Sequence, residues 1–209
     1  SLLSDIPGPG EIRVTESQYT GVFAFEGDWC EDLRDKDSVR PTLETLHDVK
    51  GIDFIHRRIG TTDELEYYVD KWLGGESAEN YDDYLVGYFA FHGEQGLVSP
   101  GGGDVSLDQI SIWINGRAQG RTLYFGSCSM LDLETKEIKS FLRSTKARAV
   151  VGFTKDVDWL GSAAFDLILL DALAWWHQLP HLASNYLRSP KLPHFKAFAE
   201  ELGLKIITP

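Results

Sequence analysis

Short apolar runs alternate with segments of helical character along this chain, and this alternation limits the possible folds more than any other feature. The runs at 20–25, 84–91 and 121–126 are rich in aromatic and aliphatic residues, which suits strands buried on both faces of a sheet. Two further strands are predicted at 52–57 and 147–153. Helical segments of about 10 to 15 residues between strands are typical of a parallel sheet with right-handed crossovers. The expected fold is therefore α/β, a three-layer αβα sandwich with a mostly parallel sheet of roughly six strands.

Capping residues mark the helix boundaries. Pro41 suits a first helical turn and Gly51 a helix end. Thr61 and Ser106 suit N-cap positions. The other elements predicted from local patterns are a small hairpin at 94–104, helices at 134–144 and 161–177, a loop at 180–193, then a last helix and an extended run at 204–208.

The charge of the chain excludes one class of partner. With 20 Lys and Arg against 32 Asp and Glu, the formal net charge is −12, and no stretch concentrates basic residues as a phosphate-binding surface requires. We therefore expect no contact with nucleic acid. The longest apolar run, 167–176, is interrupted by Asp171 and is shorter than the ~20 residues that cross a bilayer, so no membrane partner is expected either.

Cysteine usage indicates the compartment. Cys30 and Cys128 are the two cysteines, too few for a disulfide-stapled secreted scaffold. The first residues lack the basic and apolar regions of a signal peptide. We therefore expect a reducing, cytoplasmic environment, with an N-terminal extension over 1–15 and one domain over 16–209.

Two strands of the expected sheet end at chemically reactive residues. The third strand ends at His92-Gly93, and the fourth is followed by Cys128. His92 and Cys128 are 36 positions apart, which fits one crossover of loop, helix and strand, so both side chains are expected at one edge of the sheet. A cysteine attacks as the thiolate and needs an adjacent base, which an imidazole provides. We predict Cys128 as nucleophile and His92 as general base and acid, with the backbone N–H groups of Gly93 and Cys128 as oxyanion donors.

The surroundings of these residues resemble a known family. FHG after one aromatic-rich strand, GSCS after a second, and the block AVVGFTKDVDWLGSAAFDLILLDAL look like the caspase-hemoglobinase fold of clan CD cysteine peptidases, especially its bacterial and CHAT-like branches. The likeness covers residues 20–177. It implies a peptidase that hydrolyses protein or peptide substrates through an acyl-enzyme on Cys128, without a cofactor. It also implies a regulated intracellular effector with an activating partner protein, and bacterial immunity, such as antiviral defence, is one setting.

Departures from the family bear on substrate choice. Caspases carry QACRG around the nucleophile, whereas this chain has GSCSM, so a preference for Asp at the cleavage site is not implied. Gly126 stands where relatives that cut after Arg or Lys carry an acid. The family places part of its specificity pocket after the first strand, at Glu26 and Asp28 here, so we expect a basic cleavage-site residue. The residues assigned to substrate binding are Glu26, Asp28, Gly126, Ser127, Thr154 and Asp156, with Lys155 and Asp158 beside them.

Other functions stay open on the sequence alone. The same fold could serve as a catalytically silent adaptor or pseudoprotease, and the same dyad could support transpeptidation or deamidation. His177 and His181 have the spacing of metal ligands, but Pro180 lies between them and no third ligand is evident in the sequence, so no metal is expected.

Overall fold

Helices and strands alternate along the part of the chain that the structure describes. The computed structural model describes residues 18–32, 34–75, 80–156 and 158–209, so the extension predicted at 1–15 lies outside it. The strands are β1 (Val22–Glu26), β2 (Phe54–Arg58), β3 (Val86–Ala90), β4 (His92–Glu94), β5 (Leu97–Ser99), β6 (Val105–Ser106), β7 (Thr122–Phe125), β8 (Ala149–Phe153) and β9 (Leu204–Ile207). The helices are α1 (Arg40–Lys50), α2 (Thr62–Trp72), α3 (Leu107–Ile114), α4 (Thr135–Thr145), α5 (Trp159–Trp175), α6 (Pro180–Leu187) and α7 (Pro193–Glu201).

A six-stranded sheet forms the centre of the fold. Its strand order is β2-β1-β3-β7-β8-β9. Neighbouring strands are parallel except at one edge, where β9 runs antiparallel to β8. A separate small antiparallel sheet contains β4, β5 and β6. The predicted αβα sandwich with a mostly parallel, six-stranded sheet is confirmed.

Helices cover both faces of the sheet. Side chains of α1, α5, α6 and α7 pack in the apolar cluster on one face, and those of α2, α3 and α4 pack in the cluster on the other. Successive residues of β3 alternate between these clusters, with Tyr88 on the α5 side and Phe89 on the opposite side. All residues of β1, β3, β7 and β8 are buried, as expected for central parallel strands.

The predicted helix caps are present. Pro41 lies in the first turn of α1, and Gly51 ends that helix in the left-handed conformation with φ of 69°. The Thr61 side chain accepts a hydrogen bond from the Glu64 N–H at 3.2 Å at the start of α2. Ser106 caps α3 in the same way. Local capping chemistry was therefore enough to locate these helices.

One local prediction was wrong. Residues 180–193 were predicted as a loop, but α6 occupies Pro180–Leu187, because Pro180 suits its first turn and Ala183 and Leu187 form a buried stripe at helical spacing. The small hairpin predicted at 94–104 is present, since β4 and β5 pair antiparallel across the turn at Gln95-Gly96, and β6 completes a three-stranded sheet. His92 begins that sheet, since it pairs with Ser99.

The longest described helix, α5, returns from the carboxyl edge of the main sheet. Asp158 caps it by accepting a hydrogen bond from the Gly161 N–H at 2.8 Å. The helix carries apolar residues on most of its sides, as expected for an element that packs between the sheet and other helices. Within the described residues, none of the helices combines the length and the apolar character that crossing a bilayer would require.

Candidate active site

The carboxyl ends of β3 and β7 meet at one edge of the main sheet. These strands are parallel neighbours, with Phe89 opposite Phe125. His92 follows β3 and Cys128 follows β7, so both leave the sheet at the same edge. Both residues line one pocket of about 130 Å³. The structure therefore brings the two predicted reactive groups to a common cavity.

His92 is held by the backbone of the segment that follows β1. Its Nε2 lies 2.7 Å from the carbonyl oxygen of Trp29, and the two rings meet edge to face with centroids 5.3 Å apart. Because a carbonyl oxygen can only accept, Nε2 must carry a proton. In the neutral ring Nδ1 then keeps its lone pair, which is the form that a general base requires.

Trp29 is itself fixed by Glu26, the last residue of β1. The buried Glu26 carboxylate accepts hydrogen bonds from Trp29 Nε1 at 2.6 Å and from His56 Nε2 at 2.5 Å, and from the Ser38 hydroxyl and the Val39 N–H at 2.8 Å each. Burial by itself would raise the pKa of Glu26, but these hydrogen bonds, led by that from His56, hold its pKa below the usual value. Glu26 therefore positions the tryptophan that holds the imidazole.

Two glycines let the strand ends approach closely. A β carbon at Gly93 would lie 2.5 Å from that of Ser127, so the segment after β3 rests on the residue before Cys128. Ser127 is buried, and its hydroxyl has no hydrogen-bond partner among the described residues. A β carbon at Gly126 would lie 2.5 Å from the ring of Tyr88. Larger residues would not fit at either glycine without displacing these neighbours.

The turn that carries the thiol is anchored to the segment after β8. Cys128 is half-buried and is not joined by a disulfide to Cys30, which is exposed. The following residue, Ser129, has a left-handed backbone with φ of 47°. Its hydroxyl donates to the Asp156 carboxylate, and its N–H donates to the Lys155 carbonyl at 3.1 Å. These contacts fix the backbone next to the sulfur.

One face of α5 forms another wall of the pocket. Trp159 and Asp166 are each three and four positions from Ser162 and Ala163, so all four share one helix face, and all four line the cavity. The Trp159 ring packs edge to face on that of Trp29, with centroids 4.6 Å apart. The pocket is thus enclosed between a helix and the ends of the central strands.

Asp166 brings a carboxyl group to this pocket from a buried position. Tyr88 donates to its Oδ2 at 2.5 Å, and Tyr124 donates to its Oδ1. Burial raises the pKa of the Asp166 carboxyl to about 6, although both phenol hydrogen bonds lower it. Burial likewise raises the pKa of both phenols, which therefore remain protonated donors. Phenols rather than cations surround this carboxyl.

Ionisation of Asp166 is expected to cost stability as the pH rises from 4 to 7. The buried carboxyl holds its proton up to about pH 6, whereas the carboxyl of an unfolded Asp releases its proton at about pH 3.9. Between these values the native state binds more protons than the unfolded state, so the free energy of unfolding falls with rising pH, by roughly 3 kcal/mol in total. Tyr88 and Tyr124, the titratable groups in contact with Asp166, stay protonated over this range.

Denaturant titrations at pH 4 and pH 7 measure this effect. The variant Asp166→Asn is the reference, since an amide does not titrate. We expect the wild type to lose stability relative to this variant between the two pH values. A difference between the two proteins that is the same at both pH values would contradict the raised pKa.

The remaining predicted substrate-binding residues do not line the pocket. Asp28 pairs with Arg58 at 3.1 Å and lines a second, more open cavity that also includes His92. The Thr154 hydroxyl donates to the Gly203 carbonyl at 3.2 Å. The pocket therefore brings together the predicted residues His92, Gly126 and Cys128, and its lining does not include Glu26, Asp28, Ser127, Thr154 or Asp156.

Sequence reasoning missed Trp29, Trp159 and Asp166. An acid inside an otherwise apolar helical stretch is the signal that could have singled out Asp166, because a buried carboxyl needs partners. Trp29 binds the His92 ring nitrogen through its main-chain carbonyl, a group that every residue type carries, so the sequence gives no signal for this hydrogen bond. In the described ranges no group of three or more His, Cys, Asp and Glu side chains is arranged to hold a metal ion.

Comparison with known proteins identifies a family without assigning an activity. A family model described as a family of unknown function (DUF6642) matches residues 19–183. The match covers more than half of the chain and spans every residue that lines the pocket. A search of the curated proteins found no match.

Proposed function

We propose that this chain, which belongs to the DUF6642 family of unknown function, is a cysteine endopeptidase. One observation carries the proposal: the imidazole of His92 and the thiol of Cys128 line the same pocket, at the ends of neighbouring parallel strands. A thiol beside an imidazole is the basic requirement for acyl transfer through a covalent intermediate. The resemblance to clan CD peptidases supports the same reaction.

In the proposed first step, Nδ1 of His92 takes the thiol proton and the Cys128 sulfur bonds to the carbonyl carbon of the scissile peptide bond. The C–N bond then breaks, and the imidazolium gives its proton to the leaving amine. In the second step His92 takes a proton from water, and the resulting hydroxide attacks the thioester. The carboxylic acid leaves, and the sulfur regains its proton. The Trp29 carbonyl supports both steps, because it accepts from Nε2–H in each protonation state of the ring.

Negative charge on the carbonyl oxygen also needs donors in both steps. We propose the backbone N–H groups of Gly93 and Cys128 for this role. The contact between Gly93 and Ser127 supports this assignment, since it brings the two backbone segments together next to the sulfur. Main-chain donors need no reorganisation during the reaction.

We also propose a cytoplasmic, regulated effector that acts on proteins or peptides and has a basal activity that a partner protein raises. A thiol nucleophile works only while it is reduced, and the reduced pair of Cys30 and Cys128 is in keeping with a reducing compartment. Regulation and the setting in bacterial immunity are supported by the family resemblance.

Incubation with a mixed peptide library tests the proposed activity. The variant Cys30→Ala is used, so that alkylation with iodoacetamide acts at Cys128. We expect mass spectrometry to detect new peptide termini with the reduced protein and none after alkylation. A library left intact by the reduced protein would contradict peptidase activity and favour the silent adaptor. Products joined to amines instead of hydrolysed would favour transpeptidation.

A further inference from the structure

The pocket beside Cys128 contains a carboxylate that the proposed chemistry does not use. Asp166 is only 2% exposed, and both of its oxygens accept from phenols. No cation in the described part of the chain contributes to its pKa. A carboxylate has about four acceptor positions, so about two remain for a ligand. Because an ionised carboxyl without a counter-charge is costly to bury, a cationic ligand would be favoured here.

The other walls of the pocket suit a long basic side chain. Trp29, Tyr88, Phe91 and Trp159 contribute aromatic surface. Such rings pack against methylene groups and attract a cation over their faces. The volume of about 130 Å³ is comparable to about four water molecules at roughly 30 Å³ each. A lysine side chain has a similar number of heavy atoms beyond its β carbon.

The position of the pocket determines which residue of a substrate can enter it. Cys128 lines the pocket, so a carbonyl carbon bonded to its sulfur lies next to the pocket. The residue that supplies this carbonyl carries its side chain on the adjacent carbon. That side chain is therefore the one within reach of Asp166.

We propose that Asp166 binds the lysine or arginine side chain of the residue before the scissile bond, so that the chain cleaves after basic residues. This inference rests on the proposed peptidase function. It assigns the preference for a basic residue to Asp166 of α5, whereas the sequence analysis assigned it to Glu26 and Asp28 after β1. Glu26 is fully engaged by four donors, and Asp28 is paired with Arg58.

Matched peptides that differ only at the residue before the scissile bond test this inference. Lysine is compared with norleucine, which has the same carbon chain without the ammonium group, and with acetyl-lysine, which has lost its charge. Hydrogen bonds to charged groups lead us to expect kcat/KM for lysine about 10- to 100-fold above norleucine. An arginine peptide should share this advantage.

The variant Asp166→Asn should reduce the ratio of lysine to norleucine to about one. Asp171→Asn is the matched control, because Asp171 lies on the same helix but pairs with Lys50 at 3.5 Å outside the pocket. The control should keep the wild-type ratio. Because both substrates are measured with one protein, the ratio is insensitive to partial loss of folded enzyme.

A second measurement uses only the wild type, in case the Asp166 variant does not fold. Peptide aldehydes ending in lysinal or norleucinal compete with iodoacetamide for Cys128. We expect lysinal to protect the thiol at about 10- to 100-fold lower concentration.

The outcomes separate this inference from the proposed function. Cleavage or protection without preference for a basic residue would overturn the role of Asp166 and leave the peptidase intact. A basic preference that survives in Asp166→Asn would overturn it as well. Failure of every peptide to be cleaved, together with failure of every aldehyde to protect Cys128, would overturn the peptidase and this inference with it.

Discussion

Replacement of Cys128 by alanine is expected to lower kcat/KM for peptide cleavage by about 10⁴-fold or more. The substitution removes the sulfur that forms the thioester, and no other group on the pocket wall is a thiol. Because Cys128 is only half-buried, the thermal midpoint should change little. Progress curves with a cleaved library peptide, recorded beside melting curves, measure both quantities.

The control for this prediction is Cys30→Ala. Cys30 is exposed and lines the cavity shared with Asp28, not the pocket of Cys128. Its replacement should leave kcat/KM within about twofold, since exposed substitutions have small effects. Equal losses in the two variants, or full activity in Cys128→Ala, would disprove the assignment of the nucleophile.

Replacement of His92 by alanine is expected to lower kcat by about 10²- to 10⁴-fold, the usual contribution of a general base. The thiol should also react more slowly with iodoacetamide at neutral pH, because its proton acceptor is gone. Stability should fall by about 1 kcal/mol or less, since the His92 ring is exposed and, among the described residues, its one hydrogen bond is to Trp29. Single-turnover cleavage and alkylation rates measure the two chemical effects.

His47→Ala is the matched histidine control. His47 lies in α1, where its Nδ1 is 3.3 Å from the Ile52 carbonyl, and it does not line the pocket. Its loss should leave both rates unchanged. If His92→Ala slowed cleavage but left the alkylation rate of Cys128 as it is, His92 would act on the substrate without activating the thiol.

The fold class and the mostly parallel sheet could be predicted because local signals agree with the overall fold. The strands of the main sheet alternate with helices from β1 to β8, with the small β4-β5-β6 sheet inserted after β3, and one crossover separates the strands before His92 and Cys128. Parallel strands end at the same edge, so chain order placed both residues there, whereas the pairing of β3 with β7 is a finding of the structure.

The rest of the pocket depends on contacts between residues far apart in sequence. Asp166 meets Tyr88 and Tyr124 across 78 and 42 positions, and no local pattern encodes these pairings. The carbonyl of Trp29 reaches His92 across 63 positions in the same way. Glu26 was predicted to bind substrate, but its hydrogen bonds anchor the segment that carries Trp29. Tertiary packing decides such roles, which residue type does not reveal.

Covalent labelling tests the central claim most directly. The intact chain is treated with a limiting amount of a peptidyl vinyl sulfone ending in lysine, and the adduct is mapped by peptide mass spectrometry. The account predicts one adduct, on Cys128, that forms far more slowly in His92→Ala. An adduct distributed equally between Cys30 and Cys128 would contradict it. Labelling of Cys128 at the same rate in the wild type and in His92→Ala would contradict it as well.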